Sequence, residues 1–170
     1  MNYHKITYPD LENGQGIRVT LWVSGCNHYC EGCHNPETWP VQSGKPFTAE
    51  TVQELLDVLD KHDYLDGVTF SGGDPFHPLN VITVTRLCKL LKERYPHKNI
   101  WLYTGYEYEW LMKQPVYAHA LEYIDVLVDG EYVETLRDIS KPFCGSINQR
   151  IILVKESRLS DSIVLWKPRE

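Results

Sequence analysis

Cys26, Cys30 and Cys33 place three thiols in eight residues, Cys26-Asn27-His28-Tyr29-Cys30-Glu31-Gly32-Cys33. Thiolates are the usual ligands of iron–sulfur centres, and a spacing of four and then three residues lets one short loop wrap a single cluster. The number of thiols is informative. A four-iron cubane held by three thiolates keeps one iron open to an outside ligand, a position that an electron carrier normally closes. The same thiols are also three-quarters of a structural zinc site, which His28, His34 or Cys144 would complete. A second stretch, Ser71-Gly72-Gly73-Asp74-Pro75, reads on its own as a strand-to-helix turn.

The elements around these residues decide where they stand. Val19-Thr20-Leu21-Trp22-Val23 reads as a short buried strand, so the cysteines fall on the loop leaving its C-terminal end, where open α/β sheets and barrels build their sites. Thr48 is a helix N-cap, followed by Val52, Leu55, Leu56 and Leu59 on one helical face. Gly67-Val68-Thr69-Phe70 is the next strand and runs straight into Ser71-Gly72-Gly73-Asp74-Pro75. Pro78 suits the first turn of a second helix with Val84, Leu87, Cys88 and Leu91 on one face, ending before Pro96. Cys88 on that face is a small buried hydrophobe.

Asn99–Tyr103 reads as a third strand ending at Thr104-Gly105, and Ile124–Val128 as a fourth ending at Asp129-Gly130. One or two short helices, carrying Trp110 and Leu111 before Pro115, separate them. This βαβαβαβ order implies a parallel sheet with right-handed crossovers, to which Ile151–Val154 adds a further strand. A complete (β/α)₈ barrel needs about 250 residues, so a chain of 170 supplies part of one. The expected fold is α/β: a partial, open (β/α) barrel with a mainly parallel sheet, one domain over residues 1–170. Residues 1–16, polar and turn-rich, read as a surface arm, and residues 155–170 as an extension. Within that extension, Ile163-Val164-Leu165-Trp166 is an edge strand, a partner-docking segment or a tail packed on its own domain.

Composition narrows the class. With 42% hydrophobic and 24% charged residues the chain is an ordinary globular protein. No apolar run spans a membrane and the N-terminus lacks the apolar stretch of a signal peptide, so a cytoplasmic location is expected, with no membrane partner. Five cysteines, an odd number with a tight cluster, also suit a reducing compartment. A formal net charge of −6 without a Lys/Arg stripe argues against nucleic-acid binding. Trp101, Tyr103 and Trp110 are accordingly core and rim residues, and His28, His34 and His77 surface or hydrogen-bonded ones.

Cys26-x-x-x-Cys30-x-x-Cys33 resembles the signature of radical S-adenosylmethionine enzymes, and Ser71-Gly72-Gly73-Asp74-Pro75 sits where that superfamily carries its glycine-glycine-acid motif. With Gly25–Asn35, Trp101–Tyr106, Val128-Asp129-Gly130 and Gly145–Gln149, the chain resembles, over residues 1–154, the activating proteins of anaerobic ribonucleoside-triphosphate reductases. The resemblance implies a barrel of the radical-SAM type, holding a 4Fe-4S cluster on Cys26, Cys30 and Cys33 with one open iron. S-adenosylmethionine would chelate that iron through its amino acid group. Ser71, Gly72, Gly73 and Asp74 would line the methionine end, the glycines allowing close backbone approach and Asp74 accepting from the ammonium. Many members of the superfamily carry an aromatic residue before the third cysteine, where this chain has Gly32. Backbone groups of Gly32, Cys33 and His34 would then meet the adenine edge, with Thr104 and Asp129 as further polar contacts.

The implied reaction is reductive cleavage of S-adenosylmethionine, the 5′-deoxyadenosyl radical abstracting hydrogen from a glycine Cα of the reductase to leave a glycyl radical. The protein would need no catalytic acid or base of its own, and an external one-electron donor such as a flavodoxin is implied. Two other classes stand beside this one: a small radical-SAM enzyme acting on a heterocycle, similar to a deazapurine synthase, and a non-enzymatic zinc-binding interaction module. Cys144 reads as structural, with thiol-mediated electron delivery or partner contact as its other role.

Overall fold

Seven strands form one sheet in the computed structural model, which describes residues 1–168. In chain order they are β1 (Asn2–Asp10), β2 (Arg18–Val23), β3 (Lys45–Pro46), β4 (Gly67–Gly72), β5 (Asn99–Tyr103), β6 (Val126–Asp129) and β7 (Arg150–Leu153). The helices are α1 (Ala49–Lys61), α2 (Val81–Arg94), α3 (Tyr108–Met112), α4 (Pro115–Ala120) and α5 (Val154–Ser160). No helix among the described residues is long and apolar enough to cross a membrane.

Strand alternation divides the core. Val19, Leu21, Val68, Phe70, Ile100 and Leu102 point to one face, where Leu55 and Leu59 of α1, Val84, Leu87, Cys88 and Leu91 of α2, and Leu111 of α3 cover them. Trp101, Val126, Val128 and Ile151 point to the other, against Tyr103, Phe143 and Trp166. Cys88 is fully buried in the larger cluster, as its place on the helix face requires. Thr48 caps α1 as expected, its N–H donating to the Thr51 hydroxyl at 3.2 Å. The second helix begins later than Pro78 suggests, because Asn80 is its N-cap and Pro78 stands in the preceding turn.

The chain is α/β and the sheet is open, but it is mixed where a mainly parallel one was expected. Its order is β3-β1-β2-β4-β5-β6-β7. Pairings β2–β4, β4–β5 and β5–β6 are parallel, while β1–β2, β1–β3 and β6–β7 are antiparallel. Connection length explains the division. A parallel pair needs a crossover long enough to return the chain to the same end, and α1, α2 and the α3–α4 pair supply three of these. The β1–β2 and β6–β7 connections carry no α-helix, so the chain reverses there. The expected N-terminal arm is thus a strand next to the sheet edge, hidden in the sequence because its burial does not alternate.

The C-terminal segment packs on its own sheet. Leu165 forms an antiparallel bridge to Ile152, and the Trp166 N–H donates to the Ile151 carbonyl at 2.8 Å. The Trp166 ring stands 5.8 Å from Trp101 and 5.6 Å from Phe143. Arg169 and Glu170 of the extension lie outside the described residues.

Arg18 closes the sheet where the parallel strands β2, β4 and β5 begin. It is fully buried and donates to the Thr69 hydroxyl at 2.6 Å, the Val68 carbonyl at 2.7 Å, the Asn99 side chain at 2.8 Å and the Gln15 carbonyl at 3.0 Å. Burial pulls its guanidinium down to about 10, so it stays charged at neutral pH. Neutral acceptors satisfy it, and Trp101 lies 5.5 Å beneath it. Arg18→Ala leaves those acceptors buried without donors and opens a void, so we expect a loss of about 3 kcal/mol in urea unfolding. A loss below about 1 kcal/mol would show that water replaces the guanidinium there.

Candidate functional site

The parallel strands run in one direction, so their exits meet at one end of the sheet. There the loop after β2, the turn after β4, Thr104-Gly105 after β5 and Gly130-Glu131-Tyr132 after β6 wall a pocket of about 470 Å³, within the usual range for small-molecule sites. Cys26, Cys30, Cys33, His34, Ser71, Gly72, Gly73, Asp74 and Thr104 all line it.

Two of the expected residues do not. Gly32 is exposed, with φ of 73°, and faces the Glu134 side chain. Asp129 is buried away from the pocket, where it accepts from Arg150 and from the Tyr108 N–H at 2.8 Å. An aspartate ending a strand pointed to the ligand in the sequence; its neighbour on antiparallel β7, Arg150, claims it instead.

The glycine turn sits directly against the cysteine loop. Gly73 N–H donates to the Val23 carbonyl at 2.8 Å, and Asp74 N–H to the Gly25 carbonyl at 2.7 Å. A Cβ on Gly73 would stand 2.7 Å from the Gly25 carbonyl oxygen, and Gly72 holds φ of 97°, so both positions require glycine. Asn80 ties the two segments once more, donating to the Ser24 carbonyl at 2.7 Å and to the Asp74 carbonyl at 3.0 Å.

Asp74 is a hub within this turn. Only 2% exposed, its Oδ1 accepts from the Phe76 N–H at 2.7 Å. Its Oδ2 accepts from the Thr104 hydroxyl at 3.0 Å and the Gly105 N–H at 3.1 Å, and lies 2.7 Å from His28 Nε2. The other ring nitrogen of His28 stands 2.8 Å from the Glu131 carboxylate. Burial works against protonating His28, but hydrogen bonds and charge from Asp74 and Glu131 outweigh it, and its pKa is raised. His77 is hydrogen-bonded, its Nε2 3.1 Å from the Asn27 side chain.

The sulfurs are set up as anion acceptors. Cys33 Sγ receives the Asn35 N–H at 3.4 Å, and the backbone of His28 favours the anionic form of Cys26 as that of Tyr132 favours the anionic form of Cys30. Burial nevertheless pushes the Cys26 thiol up to about 12 and raises that of Cys30, so both are protonated until a metal displaces the proton. Hydrogen bonds to cluster sulfurs are one way a protein sets an iron–sulfur potential. The donor set therefore fits a thiolate-bound cluster. A four-coordinate structural zinc would need all of its ligands on one ion. A cubane instead spreads its cysteines over separate irons.

Several lining residues had no clear signal in the sequence. Tyr103, Glu131, Tyr132, Phe143, Cys144 and Gln149 reach the pocket from β5 and from the long β6–β7 connection. Only the rule that strand exits carry sites pointed to Glu131 and Tyr132. Phe143 and Cys144 arrive through tertiary folding of the connection, and burial pushes the Cys144 thiol up to about 11.

This arrangement defines a class before any comparison is made: an iron–sulfur protein with one cysteine-loop cluster site opening into a ligand pocket. The family described as "4Fe-4S single cluster domain" matches residues 12–152. Curated relatives are more specific. The anaerobic ribonucleoside-triphosphate reductase-activating protein of Enterobacteria phage T4 is 44% identical over 89% of this chain and 93% of its own. Proteins of the same name from Escherichia coli (strain K12) and Haemophilus influenzae are each 42% identical. These matches cover 88% and 89% of this chain and 96% and 97% of theirs. The chain belongs to the family of anaerobic ribonucleoside-triphosphate reductase-activating proteins.

Proposed function

We propose that this chain activates an anaerobic ribonucleoside-triphosphate reductase, as a single domain working in the cytoplasm without nucleic-acid or membrane partners. One observation carries this reading. Three cysteines, Cys26, Cys30 and Cys33, share a pocket with Ser71, Gly72, Gly73 and Asp74. When bound, a 4Fe-4S cluster with S-adenosylmethionine supplies one-electron cleavage of a sulfonium C–S bond and hydrogen abstraction from a glycine Cα of the reductase.

The chain's own residues bind, orient and shield. Cys26, Cys30 and Cys33 hold three irons, and no side chain is required at the fourth. Gly72 and Gly73, free of Cβ atoms, would let the backbone approach the amino acid end of the cofactor beside Ser71 and Asp74. Asp74 already serves four donors of its own chain, so it shapes this wall as well as contributing its charge. Cys33 and His34 stand at the adenine end, with Thr104 across the pocket. The open sheet leaves a way in for a loop of the reductase, and an external donor such as a flavodoxin supplies the electron.

The test is anaerobic iron–sulfur reconstitution followed by electron paramagnetic resonance of the reduced protein. The expected result is a four-iron signal that changes on adding S-adenosylmethionine, and a glycyl radical once the reductase is supplied. Protein that takes up zinc and shows no cofactor-dependent signal would overturn the proposal.

A further inference from the structure

His28 lies in the cysteine loop but has no part in holding iron, and the chemistry proposed above asks no acid or base of it. Its surroundings are nonetheless built with care. The side chain is 9% exposed, with Nε2 2.7 Å from Asp74 Oδ2 and Nδ1 2.8 Å from Glu131 Oε1. The ring meets the edge of Tyr106 at a centroid distance of 4.6 Å and an interplanar angle of 71°. It also fills the space over Gly105, where a Cβ would come within 2.5 Å of His28 Cδ2 and 2.6 Å of Nε2. One imidazole thus joins four segments far apart in the chain: the cysteine loop, the turn after β4, the exit of β5 and the connection after β6.

Resting on the function proposed above, we infer that His28 is a positioning residue: it fixes the Asp74 turn and the Glu131–Tyr132 wall against the cysteine loop, and so sets the shape of the cofactor pocket. The reach of the effect follows from the bonds. Asp74 Oδ2 is shared by His28, Thr104 and Gly105, so removing the ring leaves that oxygen held by the β5 exit alone. On the far side Glu131 is 55% exposed, and without the ring water takes its place. Tyr132, the next residue, then loses the fixed placement that brings it to the pocket wall it shares with Cys30.

The experiment compares wild type, His28→Ala, His28→Gln and Gly105→Ala as full chains with reconstituted cluster. Each is read by equilibrium binding of S-adenosylmethionine and by amide hydrogen exchange. Gly105→Ala adds only a methyl where the ring sits, so it displaces His28 without removing any hydrogen-bonding group. Outer partners of metal-site residues commonly contribute ten- to hundredfold, so we expect His28→Ala and Gly105→Ala each to weaken binding by about tenfold or more. Exchange should quicken at Gly105 and over residues 131–134 while β6 amides stay protected. His28→Gln, which reaches one of the two carboxylates, should recover part of the affinity. Wild-type affinity in both His28→Ala and Gly105→Ala overturns the role of His28 alone. Faster exchange with unchanged affinity overturns it as well, since the ring would then be structural only. A wild-type protein that binds no S-adenosylmethionine overturns the proposed function, and the role of His28 with it.

Discussion

Replacing any one of Cys26, Cys30 or Cys33 by Ala is expected to reduce release of 5′-deoxyadenosine from S-adenosylmethionine to background under reducing conditions. Each of the three cysteines has its own place on the pocket wall, so a neighbour cannot substitute for it. Cys144 lines the same pocket, and it reaches the wall from the far side beside Phe143 and Gln149. Cys88→Ala is the matched control. That thiol is wholly buried on α2 within the apolar core, so its loss should cost on the order of 1 kcal/mol and leave cleavage intact. A Cys26, Cys30 or Cys33 variant that cleaves at the wild-type rate would remove that residue from the ligand set.

Asp74→Ala carries the second large effect, and it acts twice. The substitution strands the Phe76 and Gly105 N–H groups, the Thr104 hydroxyl and His28 in a site that is 2% exposed. We expect a stability loss of about 3 kcal/mol by urea unfolding, since buried donors left without acceptors carry the full desolvation cost. We also expect affinity for S-adenosylmethionine to fall by about tenfold or more while the iron content of reconstituted protein holds. Asp74→Asn separates the two effects: it keeps an acceptor for Phe76 and most of the stability, and removes the charge that faces the ammonium. Equal cofactor affinity in wild type and both variants, by isothermal titration, would contradict the placement of Asp74 at the methionine end.

Local pattern carried much of this molecule. The face of Leu55 and Leu59, the face of Leu87 and Cys88, the strand Asn99–Tyr103 and the cysteine loop all follow from periodicities and spacings that act over a few residues. Direction was harder to read. Whether β7 runs parallel or antiparallel depends on what the connection before it does. Residues 130–149 hold only a short 3-10 turn, Glu134–Leu136, among irregular backbone. β1 was missed for a different reason: of its nine residues only Tyr3 and Asp10 are buried, so it shows little of the alternation that marks a strand with one covered face. The site divides in the same way. Cys26, Ser71 and Asp74 announce themselves by motif, whereas the pairing of His28 with Asp74 joins residues 46 positions apart. Asp129 looked free at a strand end because nothing in its own segment shows that Arg150 will lie beside it.

The walls of the pocket leave four different strands, and residues from Glu12 to Gln149 contribute to it. No fragment of the chain therefore owns a binding site, and the cysteine loop alone lacks the walls that the exits of β4, β5 and β6 add. Iron acquisition is accordingly expected to follow assembly of the sheet rather than to guide it. Cluster content then doubles as a gauge of maturation: a refolding sample should regain its brown colour no faster than its β-sheet signal.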